Sequence, residues 1–190
     1  MQKDIISKDI IAILPEYVAD KGNCTIIYTS KESFIVNMTI RTVVRRLCAH
    51  YRIDIRASNR HFGELISIKN AIPIPISKDN IFIQVKVRKP IGKDDGSMGY
   101  IKLDSIRKIK GLKKDASILL NNGTEIQCNC SHSTIKKHMK HGELIRTLYD
   151  DRQSTVNEAM ESYIASDTPA TKSDIARIFV MIQDIVNKLK

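Results

Sequence analysis

The sequence predicts an α+β fold with a β-rich core, an amphipathic helix after the first strands and a helical C-terminal extension. Short β-branched runs separated by turn residues fill most of residues 10–130. From Thr39 the apolar period changes to that of a helix, and from Ile175 it becomes a heptad seam. We therefore expect a β-rich body over residues 1–150 and a helical extension over residues 151–190.

The first strands are predicted on both sides of a turn at Gly22-Asn23. Ile10–Leu14 is a short apolar run that we expect Pro15 to end, because proline cannot donate to a strand ladder. After the turn, the β-branched run Cys24–Thr29 predicts another strand, and Ser33–Met38 predicts one more.

The first helix has its apolar residues at i, i+3, i+4, i+7, i+8 and i+11, which places them on one helical face. These residues are Ile40, Val43, Val44, Leu47, Cys48 and Tyr51. Either Asn37 or Thr39 can cap the helix, since both carry a side-chain oxygen. Beyond it the periodicity is lost, so that Ile53–Gly63, with Arg56 and Arg60, is predicted to be a basic loop.

A central strand is predicted over Asn80–Val87, where apolar and polar side chains alternate. The preceding Pro73 and Pro75 belong to an edge strand or a loop, because neither can donate to a ladder. Lys89–Gly99 is rich in Gly and Asp and is predicted to be a flexible loop, and Tyr100–Lys110 then forms one or two strands.

The clearest hairpin joins Ile118–Leu120 to Ile126–Cys130. Asn122-Gly123 lies between them and favours the positive φ angles of a type I′ turn. Cys128 and Cys130 face the same way on the second strand, near His132, but the second spaced ligand pair of a structural zinc site is missing. We expect buried, reduced cysteines and no metal, with a zinc site as the alternative.

Three helices are predicted after the hairpin. The first is capped by Ser131 or Ser133, is weakened by Gly142 and ends near Tyr149, and the second covers Thr155–Ala165. The seam of the last helix is formed by Ile175, Ile178, Phe179, Ile182, Ile185, Val186 and Leu189. Packing on its own body and pairing with a second copy both fit such a seam, which is our candidate oligomer interface.

Positive charge is concentrated in the first three quarters of the chain. Residues 1–142 hold 25 Lys/Arg and 13 Asp/Glu, a net charge of +12, whereas residues 143–190 hold 6 and 8, a net charge of −2. A basic body attracts polyanions, most often nucleic acid, because each neutralised phosphate releases counterions. The codon usage of an AT-rich genome is an alternative explanation for the abundance of Lys and Ile.

Residues 41–60 contain six Arg and a single acid, Asp54. A narrow A-tract minor groove concentrates negative potential, and a weakly hydrated guanidinium can enter it. We expect at least one of Arg52, Arg56 and Arg60 to insert into such a groove, with Arg45 on the same DNA-binding surface. The alternative is a solvated helix face followed by an ordinary loop.

Residues 86–114 hold ten Lys/Arg and three Asp, a net charge of +7. Lys86, Arg88, Lys89 and Lys93 lead into the predicted loop, where they can clamp phosphates without reading sequence. Lysines that protect an edge strand against pairing between molecules are the alternative explanation.

Catalysis is not expected, and neither is a cofactor. Cys48 and His50 are a possible nucleophile and base only by their proximity in sequence, and residues two apart on a helix point in different directions. The apolar run Ile10–Pro15 is too short for an export signal, and no stretch approaches the roughly 18 apolar residues of a membrane span. We expect a cytoplasmic protein with reduced cysteines.

The order of several short motifs resembles the ComK family of competence transcription factors over residues 10–150. The motifs that carry the resemblance are IAILPE (11–16), FIVNM (34–38), VVRRLC (43–48), NRHFG (59–63), PIPI followed by NIF (80–82), GYI (99–101) and LNNGTEI (120–126). Ile83–Val85 and Tyr100 depart from the family pattern, as do Ile53–Ile55 beside the basic segment. Because of these departures, the resemblance does not carry over the DNA sequence preference of the family.

The resemblance implies a transcription activator that binds AT-rich duplex DNA, mainly through the minor groove and as a homo-oligomer. It also implies a nucleoid-associated location, control by an adaptor-protease system and contact with RNA polymerase. Two other functions fit the residues. One is an RNA-binding module of similar architecture, which the low aromatic content of 5% disfavours. The other is a protein-interaction adaptor that works through the C-terminal helix.

Overall fold

The computed structural model describes residues 9–92, 95–111 and 115–164, with side chains as far as residue 149, and seven positions between 175 and 186. The chain divides into two compact units, Met1–Asp150 and Asp151–Lys190, and each is described by itself. Within the described residues, three strands are followed by two helices, six further strands and a last long helix, and all the strands pair antiparallel. The predicted α+β class with a β-rich core is therefore confirmed.

The body contains two antiparallel sheets. Their strands are β1 Ile10–Val18, β2 Gly22–Thr29, β3 Ser33–Val36, β4 Ile74–Ser77, β5 Asn80–Lys86, β6 Met98–Lys102, β7 Ile106–Lys110, β8 Ala116–Leu120 and β9 Glu125–Cys128. The larger sheet has the order β3-β2-β1-β6-β5-β4, and the smaller has the order β7-β8-β9. A short 3₁₀ turn, Leu103–Ser105, leads from one sheet to the other.

Three helices are described: α1 Ile40–His50, α2 Ile55–Leu65 and α3 His132–Ile164. Five of the six residues on the predicted apolar face of α1 are buried together with Ile13, Ile27 and Phe82, so this helix covers one face of the large sheet. The sixth, Tyr51, lies just past the end of the helix and is exposed. The other face of the large sheet packs against the small sheet and Ile135 of α3. Both faces of the large sheet are thus buried, which explains why Phe82 on β5 is as well buried as its neighbours Ile81 and Ile83.

The structure corrects the predicted end of the first strand. β1 does not stop at Pro15 but continues to Val18, and Pro15 is in register with Thr25 of β2. β6 pairs with β1 only at Ala12 and Ile13. Pro15 therefore lies where β1 has a partner strand on one side only, a position that tolerates a missing backbone donor.

The predicted basic loop over Ile53–Gly63 is wrong, because α2 occupies most of it. The Asp54 carboxylate caps this helix by accepting hydrogen bonds from the backbone N–H groups of Arg56 at 2.8 Å and Ala57 at 3.2 Å. The helix buries only Phe62 and Gly63. With so narrow a buried face, the apolar period that marks a helix in the sequence is absent.

The hairpin of β8 and β9 is confirmed, but its turn is of another type. Gly123 is the one turn residue with a positive φ, 87°, and its N–H donates to the Leu120 carbonyl at 3.0 Å. That geometry matches a type I turn followed by a left-handed glycine, since a type I′ turn needs two positive φ angles.

The helix that follows the hairpin is one continuous element. Ser131 accepts a hydrogen bond from the Thr134 N–H at 3.2 Å, as predicted for a cap, but α3 passes through Gly142 and merges with the predicted second helix. A Cβ at Gly142 would lie 3.0 Å from both Ile83 Cγ2 and Leu103 Cδ2. The glycine therefore allows the helix to approach the sheet closely.

The last predicted helix is described at seven positions, all helical and exposed. Ile175, Ile178, Phe179, Ile182 and Val186 of the predicted seam are among them, with exposures between 48% and 67%. Ile185 and Leu189 of the same seam lie outside the described residues. None of the described helices is long and apolar enough to cross a membrane.

Candidate nucleic-acid interface

The predicted arginines lie along α1, α2 and the turn between them. Arg45 projects from α1, Arg52 from the turn, and Arg56 and Arg60 from α2, and all four are exposed. We call these four residues the arginine surface. Within the described part of the chain, no ion pair involves any of them. Their guanidinium groups are therefore available to an external anion.

Arg52 lies at the point where the chain reverses from α1 into α2. Its φ of 58° is left-handed, an uncommon conformation for a residue with a side chain. Two backbone hydrogen bonds hold the turn. The Arg52 N–H donates to the Ala49 carbonyl at 3.0 Å, and the Ile53 N–H donates to the Cys48 carbonyl at 2.8 Å. Arg52 and the exposed Tyr51 are thus presented at a short, hydrogen-bonded corner.

Arg56 and Arg60 are four residues apart on α2, so that their side chains lie on the same helical face. The nearest acid in sequence, Asp54, is engaged by backbone N–H groups. Those hydrogen bonds are the main cause that lowers its pKa, and the positive charges of Arg56 and Arg60 lower it further. The carboxylate caps the helix and leaves both guanidinium groups unpaired within the described residues.

The second predicted basic segment surrounds the β5–β6 loop, residues 87–97. Lys86 and Lys89 are exposed, whereas Arg88 is half-buried, and Lys93 lies outside the described residues. The loop begins as an extension of the hairpin, because the Val87 N–H donates to the Ser97 carbonyl at 2.9 Å. Two of the four predicted phosphate ligands, Lys86 and Lys89, are thus exposed side chains at the base of this loop.

Arg88 is bound by the protein itself. Its Nη2 donates to Asn23 Oδ1 at 2.7 Å, its Nε donates to the Gly96 carbonyl at 2.8 Å, and its guanidinium lies 4.0 Å from the centroid of the Tyr17 ring. The sequence grouped Arg88 with the proposed phosphate ligands because it is one of four basic residues that lead into the predicted loop. Its contacts with Tyr17 and Asn23 join segments that are far apart in sequence. Its contacts make it a brace that joins the β5–β6 loop to the β1–β2 hairpin.

Asp95 completes this brace from the other side of the loop. Its carboxylate accepts hydrogen bonds from the Tyr17 hydroxyl, from Asn23 Nδ2 at 2.9 Å and from the Gly92 N–H at 2.7 Å. The hydroxyl of Tyr17 is the main cause that lowers the pKa of Asp95, followed by the Gly92 N–H. The predicted flexible loop is therefore fastened to the neighbouring hairpin at several points.

The loop also meets the helix that carries Arg45. A Cβ at Gly96 would lie 2.6 Å from Ile40 Cγ2, at the first residue of α1. The two predicted basic segments, distant in sequence, are thus neighbours at this end of α1. Arg52 lies beyond the other end, about 15 Å further along at the helical rise per residue.

A third basic region was not predicted as a unit. A groove of about 640 Å³ lies between β7 and α3, and Arg107, Lys108, Lys136 and Lys140 line it together with Glu143. The lysines of α3 lie outside both predicted basic segments, and only the packing of α3 on the small sheet brings them beside β7. Their charge adds to the basic character of the body.

The cysteines do not assemble a metal centre within the described residues. All four are free thiols, and Cys48 is buried so that its pKa is raised to about 11, which leaves it a poor nucleophile. Cys128 Sγ donates to the Ile126 carbonyl at 3.6 Å. The interaction between the Cys128 and Cys130 thiols is the main cause that lowers the pKa of Cys130 and, together with burial, raises the pKa of Cys128.

Comparison with known proteins identifies the family of this chain. The family model described as ComK protein matches residues 1–154, well over half of the 190-residue chain. No curated protein and no solved structure matches the sequence. The match covers the two sheets, α1, α2 and most of α3, and with them the whole arginine surface. The chain therefore belongs to the ComK family and is a transcription regulator of the competence type.

Proposed function

We propose that this protein regulates transcription by binding AT-rich duplex DNA, largely through the minor groove. The observation that carries the proposal is the arginine surface, whose four exposed guanidinium groups have no carboxylate partner among the described residues. Arg is suited to a narrow minor groove because its charge is weakly hydrated and its planar group fits between the two backbones.

The proposed roles of the arginines and the lysines differ because their side chains lie on different elements. Arg52 projects from a tight corner and is the best placed of the four to enter a groove. Lys86 and Lys89 lie at the base of the β5–β6 loop, and their proposed role is to contact phosphates. Lys93 is proposed to have the same role. Such phosphate contacts position the protein on the duplex, and the groove contacts supply the preference for AT-rich sequence.

The C-terminal helix supplies the proposed homo-oligomer interface. Five residues of its seam are exposed at the described positions, and an apolar seam of this kind is stabilised when a second helix covers it. A symmetric oligomer presents two copies of the arginine surface to DNA. The family further suggests a nucleoid-associated protein of the cytoplasm, with an adaptor-protease system and RNA polymerase as partners.

A gel-shift titration tests the proposal. The purified protein is mixed with an AT-rich duplex, a GC-rich duplex of equal length and a structured RNA, each over a series of salt concentrations. We expect a preference for the AT-rich duplex and a steep fall of affinity with salt, because several phosphates are neutralised. A preference for the RNA would favour the RNA-binding alternative, and the absence of nucleic-acid binding would favour the adaptor alternative.

Matched variants separate the groove residues from the phosphate ligands. Arg52→Ala, Arg56→Ala and Arg60→Ala should reduce the preference for the AT-rich duplex, whereas Lys89→Ala should weaken binding to all duplexes alike. An effect of about 1–3 kcal/mol on discrimination is expected for a residue that reads the groove. Equal losses on both duplexes for all three arginine variants would contradict groove insertion.

A further inference from the structure

Ile91 is the most exposed large apolar residue among those described, with 82% of its surface accessible. It lies in the β5–β6 loop between Pro90 and Gly92. Burial on the protein's own core does not explain it, because nothing in the described part of the chain covers it. A single exposed apolar side chain is common on protein surfaces, so Ile91 is distinguished only by the way its backbone is held and by the charges around it.

The backbone at Ile91 is rigidly held. Its N–H donates to the Tyr17 hydroxyl at 2.8 Å, and the next N–H, that of Gly92, donates to the Asp95 carboxylate at 2.7 Å. The Asp95 N–H closes a turn by donating to the Gly92 carbonyl at 3.2 Å. Pro90 has a restricted φ angle. The isoleucine is therefore presented by a braced loop, and fixing it in a complex costs little conformational entropy.

The exposed charged side chains on both sides of this loop segment are cationic: Lys86 ends β5 and Lys89 lies in the loop. The Asp95 carboxylate is also close, but it is occupied by hydrogen bonds from Tyr17, Asn23 and the Gly92 N–H, and Arg88 is held by Tyr17 and Asn23. An isolated apolar tip among cations does not suit a second apolar protein surface, which would have to desolvate the lysines. It suits a molecule that is anionic outside and apolar inside, as a DNA duplex is with its phosphates and stacked bases.

We propose that Ile91 is an apolar wedge that enters between two stacked base pairs of the bound duplex and kinks it. Proteins that bind the minor groove insert Ile, Leu, Phe, Met or Pro side chains in this way, and the bend lets more of the protein contact the DNA. The inference rests on the proposed function. It adds a residue that acts by deforming DNA, whereas the arginines act by sensing groove width.

The wedge also gives a reason for sequence preference. Pyrimidine–purine steps such as TA are the easiest to unstack, so a kink placed at such a step costs the least. AT-rich sequence would thus be favoured twice, once by groove shape at the arginine surface and once by deformability under the β5–β6 loop.

The experiment compares Ile91→Ala with Ile35→Ala in the full-length protein. Ile35 is a matched control, an exposed isoleucine on β3 with 56% of its surface accessible. Bending is measured by energy transfer between dyes at the two ends of an AT-rich duplex, and unstacking by the fluorescence of 2-aminopurine placed at successive TA steps. Affinity for the same duplex is measured by titration.

We expect the parent protein and Ile35→Ala to shorten the end-to-end distance and to raise the fluorescence at one step. Ile91→Ala should abolish most of both signals and change affinity by less than about tenfold, because the lost contacts are offset by the avoided cost of unstacking. Ile91→Met should retain the bend, since methionine is also an effective wedge.

Two results would overturn the inference while the proposed function stands. One is AT-preferring binding by the parent protein without any bend or unstacking. The other is an unchanged bend with Ile91→Ala, including the case in which that variant alters only the oligomeric mass seen by light scattering. If the parent protein binds no duplex at all, the proposed function fails together with the wedge.

Discussion

The guanidinium of Arg88 lies 4.0 Å from the centroid of the Tyr17 ring, which joins the β5–β6 loop to the end of the β1–β2 hairpin. The same guanidinium donates hydrogen bonds to Asn23 and to the Gly96 carbonyl. Cation–π contact and hydrogen bonding together hold a basic residue against the protein, in a region where charge alone suggested a phosphate ligand.

Replacing Arg88 by Ala should therefore destabilise the fold and leave the electrostatics of DNA binding almost unchanged. We expect a loss of about 1–3 kcal/mol in the free energy of unfolding by urea, since charge-assisted hydrogen bonds and a cation–π contact disappear. Arg88→Lys should recover little of it, because one ammonium cannot reach both acceptors and cover the ring. A phosphate ligand would instead reduce the slope of log affinity against log salt by about one.

The Tyr17 hydroxyl should control the ionisation of Asp95. In Tyr17→Phe the pKa of Asp95 should rise toward its ordinary value, since the main cause of its depression is removed. A carboxyl with a depressed pKa stabilises the fold above the unfolded-state pKa of about 3.9, and that stability is lost as the pH falls through the folded-state value. As the pH rises from acid to neutral, the free energy of unfolding of Tyr17→Phe should therefore increase less than that of the parent protein.

This expectation is checked by following the Asp95 carboxyl in a nuclear magnetic resonance titration and by recording melting temperatures across the acid range. The Glu125 carboxyl is an internal comparison, because its pKa is lowered by Ser117 and Lys110 and should not change in Tyr17→Phe. An unchanged titration midpoint in Tyr17→Phe would contradict the role given to the hydroxyl.

Cys130 should be the most reactive of the four thiols. Its pKa is lowered first by the interaction with the Cys128 thiol and also by a backbone hydrogen bond from Lys86, and it is half-buried, whereas Cys24, Cys48 and Cys128 are buried. Iodoacetamide should modify Cys130 at neutral pH at least about tenfold faster than the others, because the thiolate is the nucleophile. Peptide mapping by mass spectrometry measures each rate.

The variant Cys128→Ala provides the control for this reactivity. Without the partner thiol, the pKa of Cys130 should rise, and the pH at which alkylation reaches half its maximal rate should move upward. An unchanged pH profile would show that the thiol pair does not act on Cys130.

The C-terminal helix should determine the oligomeric mass. Ile178 and Ile182 are four residues apart on one face of this helix, and each exposes about half of its surface. Replacing both by Ser should shift the mass measured by light scattering from oligomer to monomer, because an apolar seam is the main attraction between such helices. Ala176→Ser is the matched control, at an exposed position outside the seam. An unchanged mass in the double variant would contradict the interface.

Part of the candidate site was predictable and part was not. The exposure of Arg45 follows from its position opposite the apolar face of α1, and the exposure of Lys86 follows from alternation along β5. The helix carrying Arg56 and Arg60 was missed because its buried face is too narrow to produce a period. The contacts of Arg88 could not be predicted because its partners Asn23 and Tyr17 lie on a hairpin more than sixty residues earlier.

By itself the sequence determined the elements whose side chains repeat with a clear period. The apolar face of α1, the alternation of β5 and the β8–β9 hairpin all follow from residues within one short segment, because periodicity and turn chemistry are local properties. Tertiary structure alone decided that Gly96 lies against Ile40, that Arg88 stacks on Tyr17 and that the β5–β6 loop holds Ile91 in solvent. These contacts join segments far apart in the chain, and only the antiparallel order of the large sheet and the packing of α1 across it bring such segments together.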